Sequence, residues 1–245
     1  MGRDVAYLEA VIGGNIPIIT FSYEDFSSQF GVQTAGWFDL GYKDGAFPML
    51  MQDFYLSAPL YFRYSDWSLA FKYNHISSHL GDGMDVLLEH SLSDDERETY
   101  KFYDDLAEEE DMNLTLQSPI VYSRDYISVH ISYEYKIKSI EMRLYTHIGY
   151  VHKMIPDHLK RWFVGSGVEA MYPMTYIAPY YAHDLTRNQD LRSIDYSGQL
   201  GVIMFPERKS YFQVRFALTG FVGYDRRGQM LGKTLRRVGF GLFVR

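Results

Sequence analysis

The chain has 245 residues, no cysteine and a formal net charge of −7, which excludes a disulfide framework, thiolate chemistry and a basic face for nucleic acid. Aromatic residues make up 17% of the sequence, a share that is high for a soluble domain and typical of membrane barrels with aromatic girdles. We expect one domain over residues 1–245, without a membrane helix, because no apolar run approaches the roughly 18 residues that such a helix needs. The N-terminal segment has no basic stretch followed by an apolar one, so either a signal peptide was removed, which we favour, or the protein is cytoplasmic.

A two-residue alternation of apolar and polar side chains predicts an all-β fold. Over residues 127–135, the odd positions include Ile127, Val129 and Ile131, whereas the even positions hold Ser, His, Ser and Glu. Alternation of this kind is typical of strands with one apolar face. We expect about twelve antiparallel strands, which span residues 4–12, 16–23, 29–42, 53–63, 66–78, 122–136, 139–153, 161–172, 176–186, 193–205, 210–222 and 234–245.

The lengths of the connections predict a membrane location for the strands and their orientation in it. Connections after the even-numbered predicted strands are mostly short, and those after the odd-numbered ones are mostly longer. Outer-membrane barrels have short periplasmic turns and long outer loops, so we expect both termini on the periplasmic side. The sequence therefore predicts a transmembrane antiparallel β-barrel in a bacterial outer membrane, as a monomer or homodimer, with apolar faces toward lipid. A soluble β-sandwich is the alternative.

Charged residues of both signs map to the interior of this barrel by parity. We expect them to form ion pairs across a narrow interior rather than to select an ion, because buried charges must find partners. They are Glu9, Asp39, Arg63, Lys72, Glu134, Glu141, Arg143, Glu169, Asp195, Arg215 and Arg237.

The longest connection, residues 79–121, is predicted to be an acidic extracellular loop. Ser93-Asp-Asp-Glu96 has the pattern of a capping box and predicts a short helix within it. Three interpretations stay open: a solvated acidic loop, a lid, or a Ca²⁺ site that includes Asp82 and Asp85, since Ca²⁺ binds clustered oxygen ligands.

Polar residues continue the outward face of the fifth predicted strand. Parity places His75, Ser77 and His79 there, at the outer rim, and the next strand brings Asp125 to the same height. This predicts a Ser-His-Asp site, with Ser77 as nucleophile, His75 as general base, Asp125 as the orienting acid and His79 as a second base or headgroup contact. A polar collar above the hydrocarbon is the alternative.

Two resemblances bear on these residues. His75-Ile-Ser77 resembles the His-x-Ser motif of outer-membrane phospholipases and lipid A deacylases, which implies a hydrolase acting on phospholipid or lipopolysaccharide of the outer leaflet. Those enzymes follow the serine with Asn, where this chain has Ser78.

The second resemblance rests on motifs spread over nearly the whole chain, which are Asn74-His-Ile-Ser-Ser-His-Leu-Gly-Asp82, Tyr122-Ser-Arg-Asp125, Arg143-Leu-Tyr145, Pro179-Tyr-Tyr-Ala-His-Asp184 and Gly228-Gln-Met230. These motifs resemble those of a domain-of-unknown-function family of bacterial outer-membrane barrels. The resemblance implies the fold and the location but no activity, so a non-catalytic barrel that serves as a structural element, adhesin or small pore is the second functional hypothesis.

Overall fold

The chain forms a single antiparallel sheet, and the all-β prediction is confirmed. The computed structural model describes residues 7–42, 45–81, 122–155, 161–188, 194–204, 214–224 and 234–244. Each strand pairs with the next one along the chain. The eleven strands in the described ranges are β1 Tyr7–Tyr23, β2 Phe26–Gly41, β3 Met49–Tyr64, β4 Trp67–Leu80, β5 Tyr122–Ile137, β6 Ile140–Ile155, β7 Trp162–Met171, β8 Ile177–Asn188, β9 Ile194–Met204, β10 Val214–Tyr224 and β11 Thr234–Val244. Within those ranges no helix is long and apolar enough to cross a membrane.

The eleven strands agree with the expected count of about twelve, and the first two predicted strands are one strand in the structure. Gly13, Gly14 and Asn15 suggest a turn by composition, yet they pair continuously with residues 33–35 of β2. A Cβ on Gly13 would come too close to the carbonyl oxygen of Thr34, so glycine permits the close approach of the two backbones there. The register shifts only later, between Pro17 and Ile19.

Merging the two strands also corrects the expected position of the termini. The two-residue turns at 24–25, 65–66 and 138–139 all lie at one end of the sheet, which we call the short-turn rim. The connection 81–121 joins strands at the opposite end, the long-loop rim. β1 therefore begins at the long-loop rim and β11 ends at the short-turn rim, so the two ends of the described chain lie at opposite rims.

The short turns follow the conformational rule for tight hairpins. Glu24, Ser65 and Lys138, each the first residue of its turn, have φ values of 50°, 51° and 54°. The turns that match the twist of paired strands place a residue with positive φ at this position. The predicted helix in the acidic connection lies outside the described residues.

The alternation sorts side chains onto two different faces, as β4 shows. Trp67, Phe71 and Tyr73 are exposed, whereas Asn74 and Ser78 are fully buried. The same separation holds on β5, where exposed Ile127 and Ile131 alternate with buried Ser128 and Ser132. The exposed face is apolar and the buried face carries small polar groups.

The buried face is concave, because side chains of non-adjacent strands meet there. Arg63 on β3 reaches across β4 to Glu134 on β5, with 2.8 Å between Nη2 and Oε2. Arg237 on β11 donates to Glu9 on β1 at 2.7 Å and lies 3.6 Å from Asp39 on β2, so the edges of the sheet approach each other. The predicted pairing of interior charges is confirmed for these groups. The apolar face is therefore the convex, outer face of the curved sheet.

Candidate functional site

The strand register brings His75 and Asp125 together. His75 on β4 is directly opposite Asp125 on β5, two strands that the 81–121 connection separates in sequence. Their neighbours on the outward face toward the short-turn rim, Tyr73 and Ile127, are also directly opposite each other. Because facing positions on paired strands bring Cβ atoms to about 5 Å, the pair can bond without any distortion of the sheet.

His75 and Asp125 form a charge-assisted hydrogen bond. The Nδ1 atom of His75 lies 2.5 Å from Oδ1 of Asp125. An ionised carboxylate only accepts, so the Nδ1–H group of the ring donates. This tautomer leaves Nε2 of a neutral ring as an acceptor, which is the atom that a general base needs. The Asp125 side chain is only 16% exposed and that of His75 is 41% exposed, so the acid is shielded and the base is accessible.

Ser77 lies on the same outward face, one position nearer to the long-loop rim. It is opposite Phe54 on β3 and Ser123 on β5. Same-face neighbours on a strand are about 6.6 Å apart along the backbone, a separation that a histidine ring can bridge. Among the described residues, no hydrogen bond joins Ser77 to His75 in this conformation.

Of the other predicted site residues, the structure describes His79. His79 continues the outward face of β4, and its ring packs 5.9 Å from that of Phe54, so it is part of the rim but not of the His75–Asp125 contact. Asp82 and Asp85 lie outside the described residues, and the Ca²⁺ site that includes them stays a prediction. In the part of the chain that is described, no group of three His, Asp or Glu side chains could hold a metal ion.

A buried polar network behind the site fixes the position of β4. Asn74, which precedes His75, is 1% exposed on the interior face. Its Oδ1 atom accepts from Tyr55 at 2.7 Å and from Ser57 at 2.9 Å, and its Nδ2 atom donates to Ser128 at 3.2 Å. These bonds tie β3, β4 and β5 together, so the backbone that carries His75 and Asp125 is held on both sides.

An apolar band ends where the site begins. On the outward face of β5, the band extends from Ile137 at the short-turn rim to Ile127, ten residues apart, and Asp125 is the next outward position. At about 3.3 Å per residue and a tilt of about 40°, ten residues span about 25 Å, the height of the apolar band of outer-membrane barrels. The His75–Asp125 pair thus lies at the edge of this band that is nearer to the long-loop rim.

The alternation of side chains in β6 breaks beside the site, and for that reason the sequence did not predict Lys153 as an outward residue. The register between β5 and β6 shifts between Asp125 and Tyr126, so Lys153 is opposite Asp125 while Val151 is opposite Tyr126. His152 and Lys153 are both exposed, whereas Val151 and Met154 on either side are buried. Alternation alone would turn Lys153 inward. No signal within β6 marks the bulge, because the extra residue becomes visible only against its partner strand.

The fold and the site define an all-β protein with one curved antiparallel sheet, an apolar outside, a polar inside and a His–Asp pair on its outer surface. The chain belongs to the family described as Protein of unknown function (DUF1207), which matches residues 2–244. The resemblance to a domain-of-unknown-function family is therefore confirmed. No curated protein matches the chain by sequence.

Two solved structures are similar to this chain. The transport unit of the autotransporter AIDA-I from Escherichia coli matches 98% of this chain and 81% of its own, at 12% identity and a TM-score of 0.46. LpxR from Salmonella typhimurium matches 96% of this chain and 87% of its own, at 10% identity and a TM-score of 0.44.

Proposed function

We propose that this protein is a bacterial outer-membrane β-barrel that hydrolyses an acyl ester of outer-leaflet lipid, phospholipid or lipopolysaccharide. The observation that carries the proposal is the 2.5 Å hydrogen bond between His75 and Asp125 on the outward face, with Ser77 beside it. An aqueous enzyme has no need to place such a pair directly above exposed isoleucine and tyrosine side chains. A lipid whose acyl chains lie along the apolar band would present its ester groups at this height.

The chemistry follows from the tautomer of His75. Oγ of Ser77 attacks the ester carbonyl carbon while Nε2 of His75 takes the hydroxyl proton, and Asp125 stabilises the resulting imidazolium. The tetrahedral intermediate then expels the lipid alcohol, which receives that proton from His75. Water, activated by the same nitrogen, cleaves the acyl-serine and releases the fatty acid. His79 is proposed as a contact to the headgroup or as a second base.

The test is a lipid deacylation assay on detergent-purified protein, with phospholipid and lipopolysaccharide as substrates. We expect Ser77→Ala and His75→Ala each to lower the turnover rate by at least about 10³-fold, because the nucleophile and base act as a unit. Asp125→Asn should lower it too, since the amide cannot stabilise the imidazolium. Ser123→Ala is the matched control, because this serine is opposite Ser77 on the same face and has no assigned role.

A non-catalytic barrel, serving as a structural element, adhesin or small pore, is the second candidate. The missing hydrogen bond between Ser77 and His75 in the described conformation favours it. The same assay separates the two proposals. Equal turnover in the wild type and all four variants, or no turnover in any of them, would remove the hydrolase and leave a polar collar at the membrane surface.

A further inference from the structure

The bulge in β6 puts a cationic side chain beside the site. Lys153 faces outward directly opposite Asp125, and the exposed ring of His152 lies 5.7 Å from that of Tyr73 on β4. Both residues therefore share the outer surface with His75. Bulges of this kind re-aim side chains at functional sites, because they turn two consecutive residues toward one face.

The bulge is held in place by a second cation. An extra residue in one strand leaves a backbone carbonyl without its partner in the ladder. The carbonyl of His152 instead accepts a hydrogen bond of 2.8 Å from Nη1 of Arg161, which directly precedes β7. Arg161 therefore stabilises the local conformation that turns Lys153 outward, and it adds positive charge next to it.

The charge of Lys153 is available for a ligand. Among the described residues, no carboxylate lies within ion-pair distance of its ammonium group, and the nearby Asp125 is engaged by His75. Between Ile140 and Tyr150, the outward positions of β6 carry no charge. Lys153 is thus the first cation on the outside of β6 above the apolar band, at the level of lipid headgroups.

We propose that this bulge is the headgroup subsite of the lipid hydrolase proposed above, where Lys153 and His152 bind the phosphate of a net-negative phospholipid headgroup. The inference rests on the proposed function, because it orients the ester of the same lipid toward Ser77. A lysine near an anionic lipid surface contributes binding that screening by salt weakens. The substrate class is therefore an anionic, phosphate-bearing lipid rather than a zwitterionic one.

The test measures lipid binding to the Ser77→Ala protein, which cannot consume its ligand. The protein is purified in neutral detergent and titrated with phosphatidylglycerol or with phosphatidylcholine of the same acyl chains, and bound lipid is counted by native mass spectrometry. We expect phosphatidylglycerol to bind about fivefold more tightly, the effect of about one lysine contact. Lys153→Gln in this background should reduce the ratio to about one. Lys138→Gln, in a turn at the opposite rim, should leave it at about five.

Other results would overturn the inference. A preference for phosphatidylglycerol that survives Lys153→Gln, or equal binding of both lipids from the start, contradicts the subsite. Displacement of phosphatidylglycerol by inorganic phosphate at millimolar concentration would assign the bulge to free phosphate instead. Circular dichroism of each variant verifies the fold.

The binding test is independent of the hydrolysis assay. If the protein with Ser77 intact releases no fatty acid but the preference depends on Lys153, the proposed function is wrong and the subsite stands. If it hydrolyses lipid and Lys153 has no effect on the preference, only the subsite is wrong.

Discussion

Asn74 and His75 are adjacent in sequence but serve opposite faces of the sheet. Asn74 points into the interior and bonds to β3 and β5, whereas His75 points outward and bonds to Asp125. Since a strand turns successive side chains to opposite faces, a structural residue and a chemical residue can be neighbours without interfering. The position of the outer pair thus depends on an interior residue of the same strand.

Asn74→Ala should destabilise the protein by about 2–4 kcal/mol, because it removes the acceptor of the Tyr55 and Ser57 hydroxyl groups and the amide that donates to buried Ser128. The measurement is the free energy of unfolding from urea titrations in detergent or lipid. Ser77→Ala is the comparison on the same strand, since its hydroxyl makes no side-chain bond among the described residues, and it should change stability by no more than about 0.5 kcal/mol. Equal effects of the two substitutions would contradict the structural role of Asn74.

At the level of the elements, glycines decide how closely strands approach on the interior face. Gly201 on β9 is opposite Ala217 on β10, and a Cβ on Gly201 would overlap the carbonyl oxygen of Phe216. Ala217 belongs to a small apolar cluster with Ala178, Tyr180 and Ile203. Small residues at this point allow β8, β9 and β10 to pack without a gap.

Gly201→Ala should therefore destabilise the protein by about 1–3 kcal/mol, because backbone must shift to accept the methyl group. Gly220→Ala on the adjacent strand is the control, since a Cβ there would meet nothing within 4 Å. We expect it to leave the free energy of unfolding unchanged or to raise it by up to about 1 kcal/mol. The two variants are compared in one series of urea titrations. A loss for Gly220→Ala as large as that for Gly201→Ala would show that overlap at β10 is not the cause.

For the whole molecule, the separation of faces has the opposite sense to that of a water-soluble protein. The outside is apolar over the height of β5, and the concave side holds ion pairs and buried hydroxyl groups. A soluble sheet would cover its apolar face with a second layer, since burial of apolar surface drives folding in water. The proposed membrane location, with lipid as the outer solvent, would account for both observations.

This proposed location is tested by placing an arginine at two depths of the outer face and comparing the loss in the free energy of unfolding. In phospholipid bilayers, Ile131→Arg should cost about 2–4 kcal/mol, because Ile131 lies near the middle of the apolar band on β5. Ile137→Arg, on the same strand and face but at the short-turn rim, should cost at most about 1 kcal/mol. Both residues are about half exposed, so their difference reports the surrounding solvent rather than packing. Equal costs in bilayers would contradict the proposed membrane location.

The sequence by itself determined the strand content, the apolar and polar faces, and the common height of His75 and Asp125. Facing is a local property, since each residue of a regular strand points opposite to the one before it. Only the tertiary structure decided the number of strands, the rim at which each end of the described chain lies, and the outward orientation of Lys153. Gly13 and Gly14 suit a turn and a strand equally well, and a bulge exists only relative to the partner strand, so neither can be derived from one segment alone.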